Sequence, residues 1–284
     1  MTRWAVLSMD VEDWYHLDYF QGAAHDRSGS MLDGLDVYLD LLEGHRIRTT
    51  FFVLGELAEP LGTQLRAMVD AGHEIASHGM AHKRPLLMSP GEFAADLRQS
   101  KAALEAVVQR NVEGFRAPCF SLDRTRLEEV RKAGYAYDSS RIDFTGHPLY
   151  GSLDLDGFGA VSSGHFRQQG FHEFEVSTLP LFGKRLPISG GGYLRIAPWA
   201  AMRPLVQTHL SRHPLYVLYI HPFELSRRPN PAALAGLSYP QRLRFSVGRA
   251  GVARKLDRLV GLLRRNGFSF TTFRELRQRA DGVA

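Results

Sequence analysis

Residues 4–16 read Trp-Ala-Val-Leu-Ser-Met-Asp-Val-Glu-Asp-Trp-Tyr-His. An apolar run interrupted only by Ser8 leads straight into three carboxylates, Asp10, Glu12 and Asp13. The run has the composition of a buried strand, read here from Trp4 to Asp10. Side chains alternate along a strand, so Asp10 and Glu12 fall on the face of Val6 and Ser8, while Asp13 points the other way. The carboxyl ends of strands are where parallel α/β folds place their active sites, which gives the acids a functional reading. The competing reading is a solvated loop start.

Outward from this stretch, short apolar runs alternate with helical patterns, the signature of βα units and a mainly parallel sheet. Leu32, Leu35, Leu39 and Leu42 lie at helical spacing, and residues 47–54 are β-branched and aromatic enough for a second strand. A short helix over 64–71 stops at Gly72, and 73–77 is a third strand. Ser89-Pro90-Gly91-Glu92 is a capping box opening a long helix with Phe93, Leu97, Leu104 and Val108 on its buried face. A strand over 112–116, a helix over 122–133 and a strand over 135–138 follow. Residues 139–170 are rich in Gly, Asp and Ser and read as a long loop region. Strands return at 171–177 and 215–220, and a basic C-terminal helical extension, 242–284, includes a strand near Phe268. No repeat, linker or boundary is visible. The expectation is an α/β fold of distorted barrel type, one domain over 1–284.

The chain has 284 residues, 44% hydrophobic and 23% charged, enough to bury a substantial core. A net charge of +5 favours acidic partners only weakly. The apolar run near Met1 is too short for a signal-peptide core, so a cytoplasmic location is expected. The lone Cys119 excludes an internal disulfide and a multi-cysteine zinc site. No nucleic-acid recognition module is present. Residues 242–265 carry many arginines, with Val252, Leu256, Leu259, Val260 and Leu263 as an apolar stripe. That pattern reads as a barrel helix with a solvated basic face, or as a peripheral contact with anionic membrane or a lipid-linked saccharide. Oligomeric state is not readable.

Three more strand ends carry chemistry. Ser77-His78-Gly79-Met80-Ala81-His82 sets two histidines four apart; with a carboxylate, two imidazoles can hold a divalent metal and leave a position open. Arg116-Ala117-Pro118 places a cation where it can pair with a carboxylate acting as a base. His221, closing the run Leu215 to Ile220 and fixed by Pro222, suits a general acid near neutral pH. Each cluster alone has an ordinary structural explanation. Four such ends converge in a barrel on one pocket.

Together the motifs resemble the polysaccharide deacetylase family, carbohydrate esterases with the NodB-type fold, a distorted (β/α)7-type barrel. The resemblance rests on the acidic strand end, Thr50-Phe51-Phe52, His78 and His82, Arg116-x-Pro118, Asp138, and Leu218-x-Ile220-His221 in that order, from residue 4 to about 275. Gly190-Gly191-Gly192-Tyr193-Leu194-Arg195 and His221-Pro222-Phe223-Glu224-Leu225 resemble a branch associated with exopolysaccharide loci. The resemblance implies metal-dependent N-deacetylation of an amino sugar in a poly-, oligo- or lipid-linked saccharide. It implies Asp10 as general base, Arg116 orienting it, His221 as general acid paired with Asp138, and the Cys119 backbone N–H as an oxyanion donor. It also implies His78 and His82 as ligands of a divalent metal, zinc first with cobalt or nickel as alternatives. The family's usual pattern has two adjacent aspartates, whereas Val11 follows Asp10 here. The third ligand is therefore assigned to Glu12, with Asp13 as the alternate. Trp14, Tyr15, Tyr193 and Phe223 are candidate sugar-stacking residues. The competing functions are hydrolysis of a small formyl or cyclic amide and a non-catalytic carbohydrate-binding module.

Overall fold

The structure is a computed structural model that describes residues 2–20, 29–144, 147–181 and 183–282. Strand β1 (Arg3–Val11) is buried from Ala5 onward, and its alternation decides the architecture. Ala5, Leu7, Met9 and Val11 enter one large core between sheet and helices, whereas Val6 enters a second core with Phe52, Tyr137, Phe174, Val217 and Phe273. Apolar side chains on both faces are what a parallel sheet covered by helices requires. The polar members of the inner face are Ser8, Asp10 and Glu12, all buried.

Around β1 the elements follow the expected alternation. Helix α1 (Asp33–Gly44), β2 (Thr50–Val53), α2 (Gly62–Asp70), β3 (Glu74–Ser77), α3 (Pro90–Val108), β4 (Gly114–Phe115), α4 (Arg124–Lys132) and β5 (Tyr137–Asp138) build one side. Then come β6 (Gly159–Ser162), β7 (His165–Gln168), β8 (Phe171–Phe174), the separate hairpin β9 (Thr178–Leu181) and β10 (Lys184–Pro187), α5 (Gly191–Ile196), α6 (Trp199–Arg212) and β11 (Leu215–Ile220). Helices α7 (Pro222–Leu225), α8 (Tyr239–Ser246) and α9 (Val252–Arg265), strand β12 (Phe268–Phe270) and α10 (Phe273–Ala280) complete the chain. The sheet order is β11-β1-β2-β3-β4-β5-β8-β7-β6. Its seven strands from β11 to β8 are parallel and curl into the distorted NodB-like barrel, with β7 and β6 antiparallel at the edge. Strand β12 pairs with β1 at Arg3–Ala5, on the edge that β2 occupies at Met9–Val11. The capping box of Ser89 and Glu92 opens α3 as the sequence indicates.

Two sequence readings are corrected. Residues 139–170 are not all loop, because they contain β6 and β7. The first of these is largely exposed, so its order comes from antiparallel pairing with β7, itself paired to β8, and not from an apolar face that a sequence pattern would show. The basic segment beginning at Arg242 is not one helix or an appended extension. It breaks between α8 and α9 at Gly248, whose φ of 82° and close approach to the Arg195 carbonyl suit only glycine. Its β12 belongs to the main sheet.

Helix α1 packs so closely on α7 that a Cβ on Gly34 would lie 1.8 Å from the Pro222 carbonyl oxygen. That contact seats the segment immediately after His221. Gly34→Ala is expected to cost about 1–3 kcal/mol by overpacking, read as a lower urea midpoint with unchanged slope.

Candidate active site

The carboxyl ends of β1, β3 and β11 deliver Asp10 and Glu12, His78 and His221 to one cleft of about 130 Å³, and the end of β4 sets Arg116 behind Asp10. Arg116 is fully buried. Its Nη1 donates to Asp10 Oδ1 at 2.7 Å and to Ser8 Oγ at 2.8 Å, Nε to the Ser139 carbonyl at 3.0 Å, and Nη2 to Ser139 Oγ at 2.9 Å. The guanidinium also lies 4.1 Å over the Phe52 ring. Its charge is thus met by one carboxylate, three neutral oxygens and an aromatic face. Asp10 is held at Oδ1, as expected of an oriented base.

Glu12, His78 and His82 are buried and place one donor atom each within 4.8 Å of the others, which is a metal-sized cluster. The Nδ1–H of His78 donates to the Arg116 carbonyl at 2.8 Å, which leaves the Nε2 lone pair for a ligand bond. Burial lowers the His78 pKa to about 4, against the pull of Asp10 and Glu12, so the ring is neutral as a ligand must be. His82 reaches the cluster through a left-handed backbone, φ 57°, uncommon outside glycine. Glu12 Oε2 lies 2.5 Å from His82 Nε2, with both side chains buried. Burial alone would raise the Glu12 pKa, but His82, His221 and His78 outweigh it and hold the carboxyl at about 2. Two imidazoles and one carboxylate fit a borderline divalent cation. Asp13 is turned away. Its Oδ1 accepts from the Trp14 and Met31 backbone N–H groups, both at 2.8 Å, capping the turn after β1.

His221 differs from the expectation in its partner. Asp138 does not touch it. Both Asp138 oxygens are engaged by Ser140, from its Oγ and its N–H at 2.8 Å, and its register neighbour across β5 and β8 is Glu173. Burial raises the Asp138 pKa to about 6 and that of Glu173 well above the usual range, so the two act as a proton-sharing pair. Through Ser140, whose Oγ accepts the Ala117 N–H at 2.8 Å, Asp138 braces the turn that carries Cys119. The partner of His221 is Glu224, with Oε2 at 3.3 Å from Nδ1, while His221 Nε2 faces Glu12 Oε1 at 3.5 Å. Burial would lower the His221 pKa, but Glu224, Glu12 and Asp10 outweigh it and raise it to about 9. Glu224 itself is kept below its ordinary pKa, in spite of burial, by His221 and by Arg195 Nε at 3.2 Å. The signal was available at three-residue spacing in His221-Pro222-Phe223-Glu224. Gly191 has its reason here, since a Cβ on it would fall 1.8 Å from Glu224 Oε2.

Cys119 has φ 54°, and its N–H has no acceptor among the described residues. Its thiol lines the cleft, but burial raises the pKa far out of the nucleophilic range. The sugar-stacking expectation fails for Trp14 and Phe223, which are buried in a satellite core with Phe20 and Phe245. The Trp14 indole is committed to the Gly29 carbonyl at 2.9 Å. Tyr15 and Tyr193 are half-buried and outside the lining. The aromatic wall is Tyr19, Phe120, Tyr150 and Tyr219, with His147 and Arg244 beside it. Tyr150 comes from the weakly patterned region, where nothing in the sequence marked it.

Fold and site together define a NodB-like deacetylase scaffold with a candidate metal centre. Residues 32–137 match the family model described as polysaccharide deacetylase and residues 139–278 that of a domain of unknown function, DUF3473. Residues 32–137 are thus similar to polysaccharide deacetylases. Asp10 and Glu12 precede both matched segments. The chain is 29% identical over 119 residues to a peptidoglycan deacetylase of Helicobacter pylori, covering 41% of this chain and 40% of that one. It is 35% identical over 99 residues to a chitooligosaccharide deacetylase of a Bradyrhizobium species, covering 34% and 45%. It thus spans less than half the length of these curated relatives. A crystal structure from Mycobacterium smegmatis, of a protein assigned to the polysaccharide deacetylases, superposes with a TM-score of 0.66 at 20% identity. That likeness covers 99% of this chain and 91% of the other and establishes the shared fold.

Removing one partner of a buried ion pair leaves an uncompensated charge. Arg116→Met is therefore expected to cost about 3–5 kcal/mol in denaturant unfolding, and adding Asp10→Asn to it should recover part of that loss.

Proposed function

We propose that the protein is a metal-dependent N-deacetylase that hydrolyses the acetamide of an N-acetylated amino sugar in a poly-, oligo- or lipid-linked saccharide. The reading places it in the cytoplasm, on a precursor in exopolysaccharide synthesis. The observation that carries it is the opposition, across one cleft, of an arginine-held carboxylate and a carboxylate-held histidine beside the Glu12, His78 and His82 donors. A divalent metal held by those three residues supplies a Lewis acid for the acetamide carbonyl and acidifies a bound water.

The remaining steps fall to the chain. Asp10 takes the proton of the attacking water while Arg116 fixes its orientation. The Cys119 N–H donates to the oxygen that becomes negative as the carbonyl turns tetrahedral. His221 is protonated at neutral pH and gives its Nε2 proton to the departing amine, while Glu224 holds Nδ1–H and stabilises the imidazolium. The C–N bond breaks, and acetate and a free amino sugar result. Zinc fits the donor set, as do cobalt and nickel.

Acetate release from N-acetylated oligosaccharides, with and without chelator, tests the reading. Asp10→Asn should lower kcat on the order of 10²–10⁴-fold. Chelator-resistant turnover would remove the metal, and unchanged turnover in Asp10→Asn would remove the base. Release of formate, or opening of a cyclic amide, with saccharides left intact would assign the site to a small-amide hydrolase. Saccharide binding without turnover would leave a binding module.

The general acid must carry its proton, so activity falls as pH rises through the His221 pKa. Glu224→Gln removes a carboxylate that raises that pKa. The alkaline limb of the kcat profile should therefore move to lower pH, whereas loss of fold alone would reduce kcat without moving the limb.

A further inference from the structure

Between Val176 and Leu256 the sequence has one acidic residue, the buried Glu224, against twelve lysines and arginines. In the structure this stretch surrounds one side of the cleft mouth, where α8 presents an unusual surface. Tyr239, Leu243 and Val247, four apart, are 70%, 49% and 37% exposed, and Ile196 beside Gly248 is 50% exposed. The opposite face of the helix is anchored by Phe245, fully buried and stacked on Phe223 at 5.0 Å. Helix α8 is therefore apolar on both sides, one packed and one bare. Arg242 and Arg244 flank Leu243, and Arg227 lies on the loop that bonds to the end of α8 through Asn230 and Ser246. None of these three arginines has a carboxylate within salt-bridge reach among the described residues. Arg244 also lines the cleft, so the bare stripe begins where the cleft ends.

We propose that the outer face of α8 docks on an anionic lipid bilayer, seating the cleft over saccharide carried at the membrane surface. The substrate half rests on the deacetylase reading; the docking half does not. The occupant follows from charge and polarity. A second copy placed on this patch by two-fold symmetry would set arginine against arginine with no acid nearby. A soluble polyanion would satisfy the arginines and leave the apolar stripe in water. A bilayer with anionic headgroups meets both, the arginines at the phosphates and the stripe at the acyl boundary. The docking element is α8 and not α9, whose stripe of Val252, Leu256, Leu259, Val260 and Leu263 is wholly buried in the core. No described helix is long and apolar enough to cross a membrane, so the contact is peripheral.

Flotation of the full chain with phosphatidylcholine vesicles and with mixed phosphatidylcholine–phosphatidylglycerol vesicles tests the proposal. Binding to the mixed vesicles alone, weakened by salt, is expected. Arg242→Ser should lower the partition coefficient about fivefold, and Tyr239→Glu/Leu243→Glu on the order of tenfold or more. Acetate release from a soluble N-acetylated oligosaccharide should be unchanged in the double variant, which reports an intact fold and cleft. Absence of binding to the mixed vesicles, or equal binding by wild type and the double variant, would overturn the proposal. So would a dimer that the double variant dissociates without any vesicle binding. Selective vesicle binding without acetate release from any saccharide would support docking and sink the deacetylase reading alone.

Discussion

The Arg116 guanidinium is the constraint around which the site is built. A full charge with no solvent exposure is tolerated only when it is paired and hydrogen-bonded, and the groups that meet it come from β1 and the segment after β5, with a β2 ring as floor. The same residue acts twice. Its side chain fixes Asp10, and its carbonyl fixes the tautomer of His78. Asp10 and His78 are thus positioned relative to one another by a single residue at the end of β4. A buried ion pair of this kind is weak evidence for stability, since a hydrophobic pair of similar volume can serve as well. What it supplies here is geometry.

Those parts of the site that depend on strand periodicity were legible in the sequence. Alternation along residues 4–12 separates the core-facing Leu7, Met9 and Val11 from the inward Ser8, Asp10 and Glu12, and the structure divides them in the same way. Asp13 is excluded by the same alternation and finds a local use as a cap. What was not legible depends on contacts between distant segments. Asp138 sits at a strand end like the others, and only the register of β5 on β8 shows that Glu173 and Ser140 occupy it. Trp14 and Phe223 look like sugar-facing aromatics because they neighbour site residues in sequence, yet both adjoin turns that fold them back under α8. The hairpin of β6 and β7 has no apolar face, so its order is conferred by the strand it joins.

His221 has its own scaffold, separate from that of Arg116. Glu224 is held between His221 and Arg195, and Arg195 Nη1 donates to the carbonyls of Phe245 at 3.2 Å and Val247 at 2.6 Å, the closing turn of α8. Lys255 of α9 in turn donates to the carbonyls of Leu194, Arg195 and Ala197 at the end of α5. The basic residues of this region, which as a sequence suggest only a charged surface, are thus in part internal fasteners. Arg195 and Lys255 are consumed in this way, whereas Arg242 and Arg244 flank the bare stripe of α8.

The two matched segments divide the chemistry between them. Residues 32–137 hold His78, His82 and Arg116; residues 139–278 hold His221, Glu224 and part of the cleft wall, including Tyr150, Tyr219 and Arg244. Neither segment contains the whole cluster, because Asp10 and Glu12 lie on β1, ahead of both. That strand pairs with β2 from the first segment and with β11 and β12 from the second. Closing the sheet on β1 is therefore the same event as assembling the cleft. The carboxylates that end its apolar run stand on the seam, where Asp10, held by the first segment's Arg116, shares a cleft with His221, held by the second segment's Glu224.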